Sequence, residues 1–488
     1  MGMKEGAISP VDGFLGRDWL LDTPRAVSLY HEIAVPERER VGIIDVHTHH
    51  NLRQIVENEL IPNIWRAEVL EDRPEYANCD HYILQLAAKF PGFSHSFARD
   101  PQVSDHDKWL ALCRVFPLLE GNHVHQWLHL DLKRLFGIDE LISSETGQQA
   151  WKTTSEQLQH EDMRPQSLLR RAHVRLICTT DDPVDELNYH ELSRNIDGME
   201  FVPTFRPDRY CNIFEEQWPV HVERLCQKVG EPASFDGLVR SLSERHSYFA
   251  EKGARASDHG LLEPHGLLVE KRTAQNIFDR VFHGRERLDI RSSEARQFAS
   301  YLMHVFCRLN QDRGMVTQIH YGSLRDANHY LAQQWGPDVG GDIALGQVDV
   351  VDNLKPLLCE FFDGRSKKQA PLVLYCMNQL LFHTNLMLER AFPRIHTGFT
   401  WWQNDTPYLI DDYLLHLAGS STLSSSAGAV CDGRKLLSEA SRFEVFDRVI
   451  CRAIGKLVQD GQMSLKGGQE AVKNVMYRNQ LRIFNLKL

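Results

Sequence analysis

Eight short apolar runs, each ending in polar residues, recur along this chain of 488 residues and constrain its fold more than any other feature. They begin at Val41, Val174, Met199, Gly253, Met315, Pro371, Arg394 and Ser426. The fourth and eighth runs are the weakest, and segments long enough for helices lie between the others, such as residues 278–288 and 379–392. This alternation of strand and helix predicts an α/β protein with a (β/α)₈ barrel.

The spacer after the first run is too long for one crossover helix, since it extends from Asn51 to His173. Residues 105–121 and 124–138 within it carry apolar side chains three and four positions apart, which is the period of a helix. We therefore expect three parts. They are an N-terminal segment with the first strand (1–50), an inserted mainly helical subdomain (51–172), and the rest of the barrel with C-terminal helices (173–488).

Charge and cysteine content narrow the expected partners. Lys plus Arg total 55 against 66 Asp plus Glu, a net charge of −11, which disfavours nucleic acid as a partner and means that an anionic ligand requires a local group of arginines. Ten cysteines without a C-x-x-C pair are typical of reduced thiols in the cytoplasm. Because neither a signal peptide nor a run of about 20 apolar residues is seen, we expect a cytoplasmic protein without a membrane partner. A homo-oligomer is compatible with the sequence.

Polar side chains collect where the predicted strands end, and in a barrel the active site is built at these carboxyl ends. In chain order they are His47 and His49, Asp181 and Asp182, Arg206, Asp258 and His259, His320, Asn378, Trp401 and Trp402, and Asp432 with Arg434. Asp181 and Asp182 precede Pro183, so we assign them to a turn and a helix start rather than to catalysis.

His47 and His49 lie two positions apart on a predicted strand, so both imidazoles point to the same face, toward the barrel mouth. An isolated H-x-H is a weak signal, because two histidines can simply end a strand. Asp432 strengthens the metal interpretation. The first and eighth strands of a closed barrel are neighbours, so this carboxylate completes a site of two histidines and one carboxylate for a single divalent ion.

Blocks along nearly the whole chain resemble the uronate isomerases, a branch of the amidohydrolase superfamily. They are IDVHTHH from Ile44, DHY from Asp80, GNHVHQWLHLDLKRLFGI from Gly121, TTDDPVDELNYH from Thr179, PTFRPDR from Pro203, SDHG from Ser257, QIHYGSLRD from Gln318 and TWWQND from Thr400. The last block, CDGRKL from Cys431, departs from the family pattern, because Gly433 replaces a serine and the basic and histidine residues that usually follow are lost. This departure concerns substrate specificity more than the reaction.

The resemblance implies a distorted (β/α)₈ TIM barrel of amidohydrolase type and an aldose–ketose isomerase. The implied substrate is an open-chain aldohexuronate, D-glucuronate or D-galacturonate, which is converted reversibly to the ketohexuronate, D-fructuronate or D-tagaturonate. One divalent metal, with zinc as the expected ion, is implied on His47, His49 and Asp432. The implied residues of the substrate pocket are Arg206, His320, Trp402 and Arg434. Those implied in proton transfer are His81 and Tyr82.

Isomerisation moves a proton from carbon 2 to carbon 1 through an enediolate, which requires a base and a group that stabilises the oxyanion. Tyr82 is the candidate base, since a cation beside it, such as Arg434 or protonated His81, favours the phenolate. The alternative for Tyr82 is an aromatic side chain packed in the inserted subdomain. Asp432 is a candidate for assisting ring opening, and its alternative role is that of a metal ligand only.

A hexuronate carries a carboxylate that a guanidinium can bind with two parallel hydrogen bonds. Arg206 and Arg325 are the candidates for this contact, although a surface ion pair is an equal alternative for Arg325 in the loop after His320. Trp401 and Trp402 are candidates to wall the sugar. Because adjacent residues of a strand point to opposite faces, we expect only one of them to face the pocket.

Two other functions are compatible with parts of the pattern. The first is a metal-dependent hydrolase or deaminase of the same superfamily, but the second metal site of binuclear relatives is not seen, since the fourth run ends in SDHG and the sixth in CMNQ. The second is a catalytically inactive protein that binds sugar acids, which the altered block around Gly433 suggests. A pure binding protein has no need for both a metal and a base, which favours the isomerase.

Overall fold

Seven parallel strands form the centre of the computed structural model, which describes residues 13–69, 81–365 and 370–488. The strands in chain order are β1 (Ile43–Asp45), β2 (Val174–Cys178), β3 (Glu200–Val202), β4 (Ala256–Leu261), β5 (Val316–Tyr321), β6 (Ser323–Leu324), β7 (Ile343–Ala344), β8 (Leu372–Cys376) and β9 (Ile395–Thr397). Seven of the eight apolar runs coincide with β1 to β5, β8 and β9. The weak fourth run is among them.

The parallel strands pair in two groups, in the orders β1-β2-β3 and β4-β5-β8-β9. Ile177 pairs with Phe201 in the first group, and His320 pairs with Tyr375 in the second. Between the groups the contact narrows to one residue, because Phe205 bridges to β4 on one side and to the residues after β2 on the other. The barrel is therefore distorted at this point.

The eighth run forms no regular strand in the described structure, which differs from the prediction. It nevertheless lies between β9 and β1. The amide of Ala427 donates to the carbonyl of Thr397 (2.9 Å), and the amide of Asp432 donates to the carbonyl of His47 (3.1 Å). Residues 427–432 therefore close the barrel in the position that an eighth strand would take.

Side chains replace the regular ladder in this closing segment. The amide of Val430 donates to Oγ1 of Thr400 (2.6 Å), and the amide of Cys431 donates to Oδ2 of the buried Asp45 (3.0 Å). Gly428, with a φ of +79°, turns the backbone out of the extended conformation. An apolar run does not reveal that side chains replace backbone groups as hydrogen-bond acceptors. This explains why the sequence predicts a strand here.

The regular elements that the described residues form between β1 and β2 are all helices. Their bounds are Leu52–Glu57, Ile64–Glu68, His81–Ala87, His95–Arg99, Asp105–Val115, Phe116–Leu119, His123–Phe136, Gly147–Gln157, Glu161–Met163 and Pro165–Arg171. Asn122 caps the His123–Phe136 helix, because its side chain accepts a hydrogen bond from the amide of Val124 (2.9 Å). Buried apolar residues of this insertion share one core cluster with β1, β2 and the C-terminal helices, so the insertion packs as part of the barrel domain.

Further helices cover the barrel before β1 and after β2. They are Pro24–Leu29, Tyr30–Ala34, Val35–Val41, Asn188–Ser193, Asp208–Cys211, Trp218–Val229, Phe235–Glu251, Lys271–Phe282, Ser293–Arg313, His329–Trp335, Val350–Phe361, Gln379–Leu381, Phe382–Ala391, Trp402–Asn404, Pro407–Ser420, Leu423–Ser425, Ser438–Gln459, Leu465–Lys473, Asn474–Arg478 and Asn479–Ile483. The Ser438–Gln459 helix is buried along most of its length, and Gly461 follows its end with a φ of +70°.

A small antiparallel hairpin lies at the carboxyl end of β5 and was not among the predicted strands. Ser323 pairs with Ala344, and Leu324 pairs with Ile343. The hairpin encloses the short His329–Trp335 helix. We call residues 323–344 the flap.

Two sequence-based expectations about the environment of the chain concern its apolar helices and its thiols. In the described ranges, no helix is both long and apolar enough to cross a membrane. The nine cysteines of those ranges are free thiols, and eight of them are buried.

Candidate active site

A small cavity lies at the carboxyl ends of the barrel strands. Its lining residues are His47, His49, His81, Arg206, His320, Arg325, Trp401, Trp402, Asp432 and Arg434. All ten were candidate site residues on sequence grounds, and they come from six different regions of the chain. The remaining candidate, Tyr82, adjoins His81.

Three candidate metal ligands converge on one side of the cavity. Nε2 of His47 and Nε2 of His49 each lie 3.1 Å from Oδ1 of Asp432. Two backbone hydrogen bonds fix this arrangement. The amide of His49 donates to the carbonyl of Gly433 (2.8 Å), and the amide of Asp432 donates to the carbonyl of His47 (3.1 Å). The buried Asp45 accepts the amide of His47 (3.1 Å) and so anchors the same strand end.

Burial and mutual contact set the protonation of this cluster. Burial lowers the pKa of His49 well below its usual range, and this outweighs the opposite effect of the neighbouring Asp432. Burial by itself raises the pKa of Asp432, but the hydrogen bonds from His47 and His49 have a larger, opposite effect. The net pKa of Asp432 is therefore well below the usual value. A neutral imidazole beside an ionised carboxylate is the state in which such residues bind a divalent cation.

Asp258 is a central residue of the site that the sequence reasoning did not select. Its Oδ1 lies 2.7 Å from Nδ1 of His320 and 3.8 Å from Nδ1 of His47, and its Oδ2 lies 3.1 Å from Nη1 of Arg206. Together His47, Asp258 and His320 form a second buried group with metal-ligand chemistry. The available signal was its place at the end of the weak fourth run, directly before His259.

Burial and three neighbours act on the Asp258 carboxyl group. Burial raises its pKa, but His320, His47 and Arg206 together lower it well below the usual value. Asp258 is therefore ionised beneath the cavity and supplies a fixed negative charge to the histidines and the arginine above it.

Arg206 is held by two carboxylates. Its Nε donates to Oδ2 of Asp208 (2.9 Å), and its Nη1 pairs with Asp258 (3.1 Å). Gly260 provides the space for the guanidinium, because a Cβ at this position would lie 2.8 Å from Nη2 of Arg206. Two of the three nitrogens that could bind a substrate carboxylate are thus engaged within the protein.

Arg325 and Arg434 lie on the flap side of the cavity. Nη1 of Arg325 donates to Oδ1 of Asp338 (2.9 Å), and Nη2 of Arg434 lies 3.9 Å from Oδ2 of the same residue. The guanidinium carbon of Arg325 lies 4.2 Å from the centroid of the Trp402 ring, a cation–π contact. Arg325 therefore makes an ion pair and also lines the cavity, and its binding of a substrate carboxylate stays a prediction.

Both tryptophans line the cavity, whereas the sequence predicted that only one would. The Trp401 ring lies 4.9 Å from the His320 ring, and the Trp402 ring lies 5.8 Å from the His81 ring. The prediction was wrong because β9 already ends at Thr397 and Trp402 has a φ of +56°, so the two-residue alternation of a strand no longer applies.

His81 and Tyr82 begin the helix that approaches the cavity from the insertion. The two rings stack with their centroids 4.5 Å apart, so His81 faces the cavity and Tyr82 lies against it. The guanidinium of Arg442 lies over the Tyr82 ring at 5.2 Å, and Trp127 contacts the ring edge-on at 5.8 Å. Asp80, which precedes this pair in the sequence block, lies outside the described residues.

Asp182 and Asn378, two other strand-end residues, bind neighbouring backbone. Oδ1 of Asp182 accepts the amide of Val184 (3.1 Å), which is the turn assigned to it. The side-chain amide of Asn378 donates to the carbonyl of Leu345 (2.7 Å), directly after the flap. These contacts are structural, and neither residue lines the cavity among the described residues.

Known proteins resemble this chain over nearly its whole length. A family description for glucuronate isomerase matches residues 11–484. The uronate isomerase of Thermotoga petrophila is 37% identical over 473 residues, covering 96% of this chain and 99% of that protein. The crystal structure of uronate isomerase from Thermotoga maritima has a TM-score of 0.89 at 37% identity, covering 97% of this chain and 100% of that one.

The fold extends to a more distant structure. The crystal structure of glucuronate isomerase from Caulobacter crescentus has a TM-score of 0.87 at 22% identity and covers 97% of both chains. These likenesses confirm the predicted distorted (β/α)₈ barrel. By sequence and by structure, the chain belongs to the glucuronate isomerase family.

Proposed function

We propose that the protein interconverts an aldohexuronate and its ketohexuronate, with D-glucuronate and D-fructuronate or D-galacturonate and D-tagaturonate as the pairs. The observation that carries this proposal is that a His, His, Asp cluster and three arginines line the same cavity. Such a lining suits a ligand that has both oxygens for a cation and a carboxylate for guanidinium groups. Membership in the family supports the same reaction.

His47, His49 and Asp432 are the proposed ligands of one divalent ion, and zinc is the proposed metal because it favours imidazole and carboxylate ligands. The 3.1 Å between each imidazole Nε2 and Oδ1 of Asp432 supports this set. Ligands about 2.0 Å from a tetrahedral ion lie about 3.3 Å apart. When bound, such an ion polarises oxygens of the substrate as a Lewis acid.

Proton transfer is assigned to His81, Tyr82 and Asp432. In the aldose-to-ketose direction, a base removes the proton on carbon 2 and a proton is returned to carbon 1, while a hydroxyl proton moves from oxygen 2 to oxygen 1. Tyr82 is the proposed base, and its stacking on the cavity-lining His81 supports a relay through that imidazole. Asp432 is proposed to move the hydroxyl proton from oxygen 2 to oxygen 1. It is also proposed to take the hydroxyl proton that is released when the sugar ring opens.

Recognition of the acid group is assigned to the arginines. Arg325 and Arg434 are proposed to bind the substrate carboxylate, since their counter-ion Asp338 belongs to the flap and is 40% exposed. Arg206 is proposed to contact substrate through the part of its guanidinium that Asp208 and Asp258 do not use. The proposed roles of the other lining residues are a hydrogen bond accepted by Nε2 of His320 and walls formed by Trp401 and Trp402.

The test is incubation of the purified protein with a panel of aldohexuronates and their neutral aldohexoses, with ketose formation followed by a colorimetric assay. We expect ketose from at least one uronate and far less from the matching hexose. Release of ammonia or of a hydrolysed product from amide or lactone substrates, without ketose, would instead indicate a hydrolase or deaminase. Binding of uronates without any turnover would indicate a sugar-acid-binding protein.

A cytoplasmic location is also proposed. The free thiols of the described cysteines support it, because compartments that oxidise thiols favour disulfides in exported proteins. Fractionation of cells that produce the protein, followed by immunoblotting of each fraction, tests this location.

A further inference from the structure

Asp338 is a carboxylate of the flap that faces two arginines of the cavity. Its Oδ1 accepts a hydrogen bond from Nη1 of Arg325 (2.9 Å), and its Oδ2 lies 3.9 Å from Nη2 of Arg434. Both arginines line the cavity, and Asp338 approaches them from outside. One carboxylate therefore serves both of the guanidinium groups that are proposed to bind the substrate acid.

The backbone of the flap holds this carboxylate in place. Asp338 has a φ of +60° between Gly336 and Gly340, and its amide donates to Oδ1 of Asp326 (3.2 Å). A Cβ on Gly340 would lie 3.2 Å from the carbonyl oxygen of His81, so a glycine here lets the flap approach the helix that carries His81. The flap thus connects the arginine side of the cavity with the side proposed for proton transfer.

The contact between Asp338 and Arg325 is open to exchange. The side chains of Asp338 and Arg325 are 40% and 38% exposed, so water screens their attraction. The hairpin that supports them has only two residues in each strand, which gives the flap few backbone hydrogen bonds. Moving this carboxylate away therefore costs much less than separating Arg206 from the fully buried Asp258.

Electrostatics place Asp338 where a substrate carboxylate would also be favoured. Partial burial raises the pKa of Asp338, but Arg325 and Arg434 oppose this effect, and His81 and Arg206 add to their action. The net pKa of Asp338 is therefore below its usual value. Four cationic or potentially cationic side chains of the cavity thus act on one carboxylate. A second carboxylate that enters the cavity meets the same field.

We propose that Asp338 is an exchangeable counter-ion of the substrate-binding site. The carboxylate of an entering uronate replaces Asp338 at Arg325 and Arg434, and Asp338 returns to them when the product leaves. The inference rests on the proposed function, because it takes a uronate as the ligand. Competition of this kind lowers the affinity for acidic ligands and helps an equally acidic product to dissociate.

The test compares two flap aspartates. Asp338→Asn removes the charge but keeps the side-chain shape, and asparagine tolerates the positive φ of this position. Asp326→Asn is the matched control, since Asp326 lies in the same flap with a φ of +50°. Binding of D-gluconate, an acid that has no aldehyde to isomerise, and of neutral D-glucitol is measured by titration calorimetry on the metal-loaded protein.

We expect Asp338→Asn to bind D-gluconate about fivefold more tightly than the unaltered protein, the upper range for loss of one partly exposed ion pair. Asp326→Asn is expected to bind it like the unaltered protein, and neither substitution should change the affinity for D-glucitol. In an Arg325→Met background the gain from Asp338→Asn should fall below about twofold, because the shared partner is gone.

Unchanged or weaker D-gluconate binding by Asp338→Asn would overturn the inference and would indicate that Asp338 contacts ligand directly or only supports the flap. An equal gain in Asp326→Asn, or a gain that persists without Arg325, would overturn it as well. Failure of the proposed function gives a different result, namely no ketose from any uronate with the unaltered protein. The calorimetric comparison between the two aspartates does not depend on turnover.

Discussion

Oδ1 of Asp258 lies 2.7 Å from Nδ1 of the cavity-lining His320, and both side chains are buried. The same carboxylate also pairs with Arg206 and faces Nδ1 of His47. A carboxylate that accepts a hydrogen bond from Nδ1–H of a neutral imidazole leaves Nε2 without hydrogen and able to accept a hydrogen bond from a ligand. Asp258 therefore orients three cavity residues without lining the cavity itself.

Asp258→Asn should lower kcat/KM for the preferred uronate by about 10- to 100-fold, the usual loss when an orienting carboxylate is removed. Asparagine keeps the shape of the side chain, but it no longer fixes the tautomer of His320 or the charge beside Arg206. Steady-state kinetics measure the loss, and circular dichroism verifies that the variant is folded.

Asp208→Asn is the control for this substitution. Asp208 also pairs with Arg206, at 2.9 Å, but it makes no described contact with His320. A much smaller loss of activity is expected. If both variants lost activity equally, the effect of Asp258 would come from Arg206 and not from the imidazole.

A single metal ion per chain is the second prediction. Nε2 of His47, Nε2 of His49 and Oδ1 of Asp432 lie close enough together for one ion, so elemental analysis should give about one divalent ion per chain. The double substitution His47→Ala and His49→Ala should abolish this binding and leave the far-ultraviolet spectrum unchanged. Two tightly held ions per chain would contradict the assignment and favour a binuclear hydrolase.

Chelation gives a second measurement of the same site. Dialysis against a chelator should remove activity, and zinc added back in equimolar amount should restore it. His123→Ala is a useful control, because this imidazole lies beside Tyr82 and Trp127, not in the His47 cluster. It should retain the metal content of the unaltered protein.

Tyr82→Phe is the third prediction. The substitution removes one oxygen and keeps the ring that packs on His81 and Trp127, so the melting temperature should change little. Turnover should fall by about 10² to 10⁴ fold if the phenol is the base. Incorporation of solvent deuterium at carbon 1 of the ketose should fall in proportion.

His81→Gln separates the two members of the stacked pair. If Tyr82 acts through the His81 imidazole, both substitutions should lower turnover to a similar level, and combining them should cost little more. Near-normal turnover of Tyr82→Phe together with an inactive His81→Gln would move the role of base to His81.

The metal cluster could be predicted because local rules determine it. Strand alternation puts His47 and His49 on one face, and barrel closure brings the eighth segment beside the first strand, even though Gly428 interrupts that segment. The same alternation failed for Trp401 and Trp402, because the chain had already left the strand. The direction of a side chain can be predicted from strand alternation only as far as the strand itself continues.

The flap and its carboxylate could not be predicted in this way. Strands of two residues leave no apolar run to detect, and Asp338 reaches Arg325 from 13 positions further along the chain through a loop with positive φ angles. Asp258 was visible as a strand-end residue, but its contacts with His320 and Arg206 depend on the pairing of β4 with β5 and on its bridge to Phe205 after β3. Such pairings are set by tertiary structure.

Arg206→Met and Arg325→Met should differ in their effects, which is the fourth prediction. Arg325→Met should raise KM for the uronate and leave thermal stability nearly unchanged, because its ion pair is partly exposed. Arg206→Met should also lower the melting temperature, since it leaves the buried Asp258 without its guanidinium partner. Thermal unfolding and kinetics on both variants distinguish these outcomes. Equal stability of the two would contradict the buried pairing.

The fifth prediction concerns acid stability and starts from His246, which is buried between its helix and the barrel. Its Nε2 lies 2.8 Å from Oδ1 of Asn310, and its ring contacts Phe205 at 5.1 Å. Burial lowers the pKa of His246 to about 4, and the bond to Asn310 opposes this only in part. The native state therefore holds this imidazole neutral at a pH where an unfolded chain protonates it.

The sign of the pH effect follows from this difference. Between the unfolded value of about 6.5 and the folded value, the unfolded state binds one more proton, so the free energy of unfolding falls as the pH falls. The expected slope from one such group is on the order of 1 kcal/mol per pH unit, and it vanishes above pH of about 7. His246→Gln, which can still donate to Asn310, should make the pH dependence of urea unfolding shallower by this amount. Phe249→Leu removes a ring that also packs on Phe205 but no titratable group, so it should lower stability and keep the original slope. An unchanged slope in His246→Gln would show that the proton is taken up elsewhere.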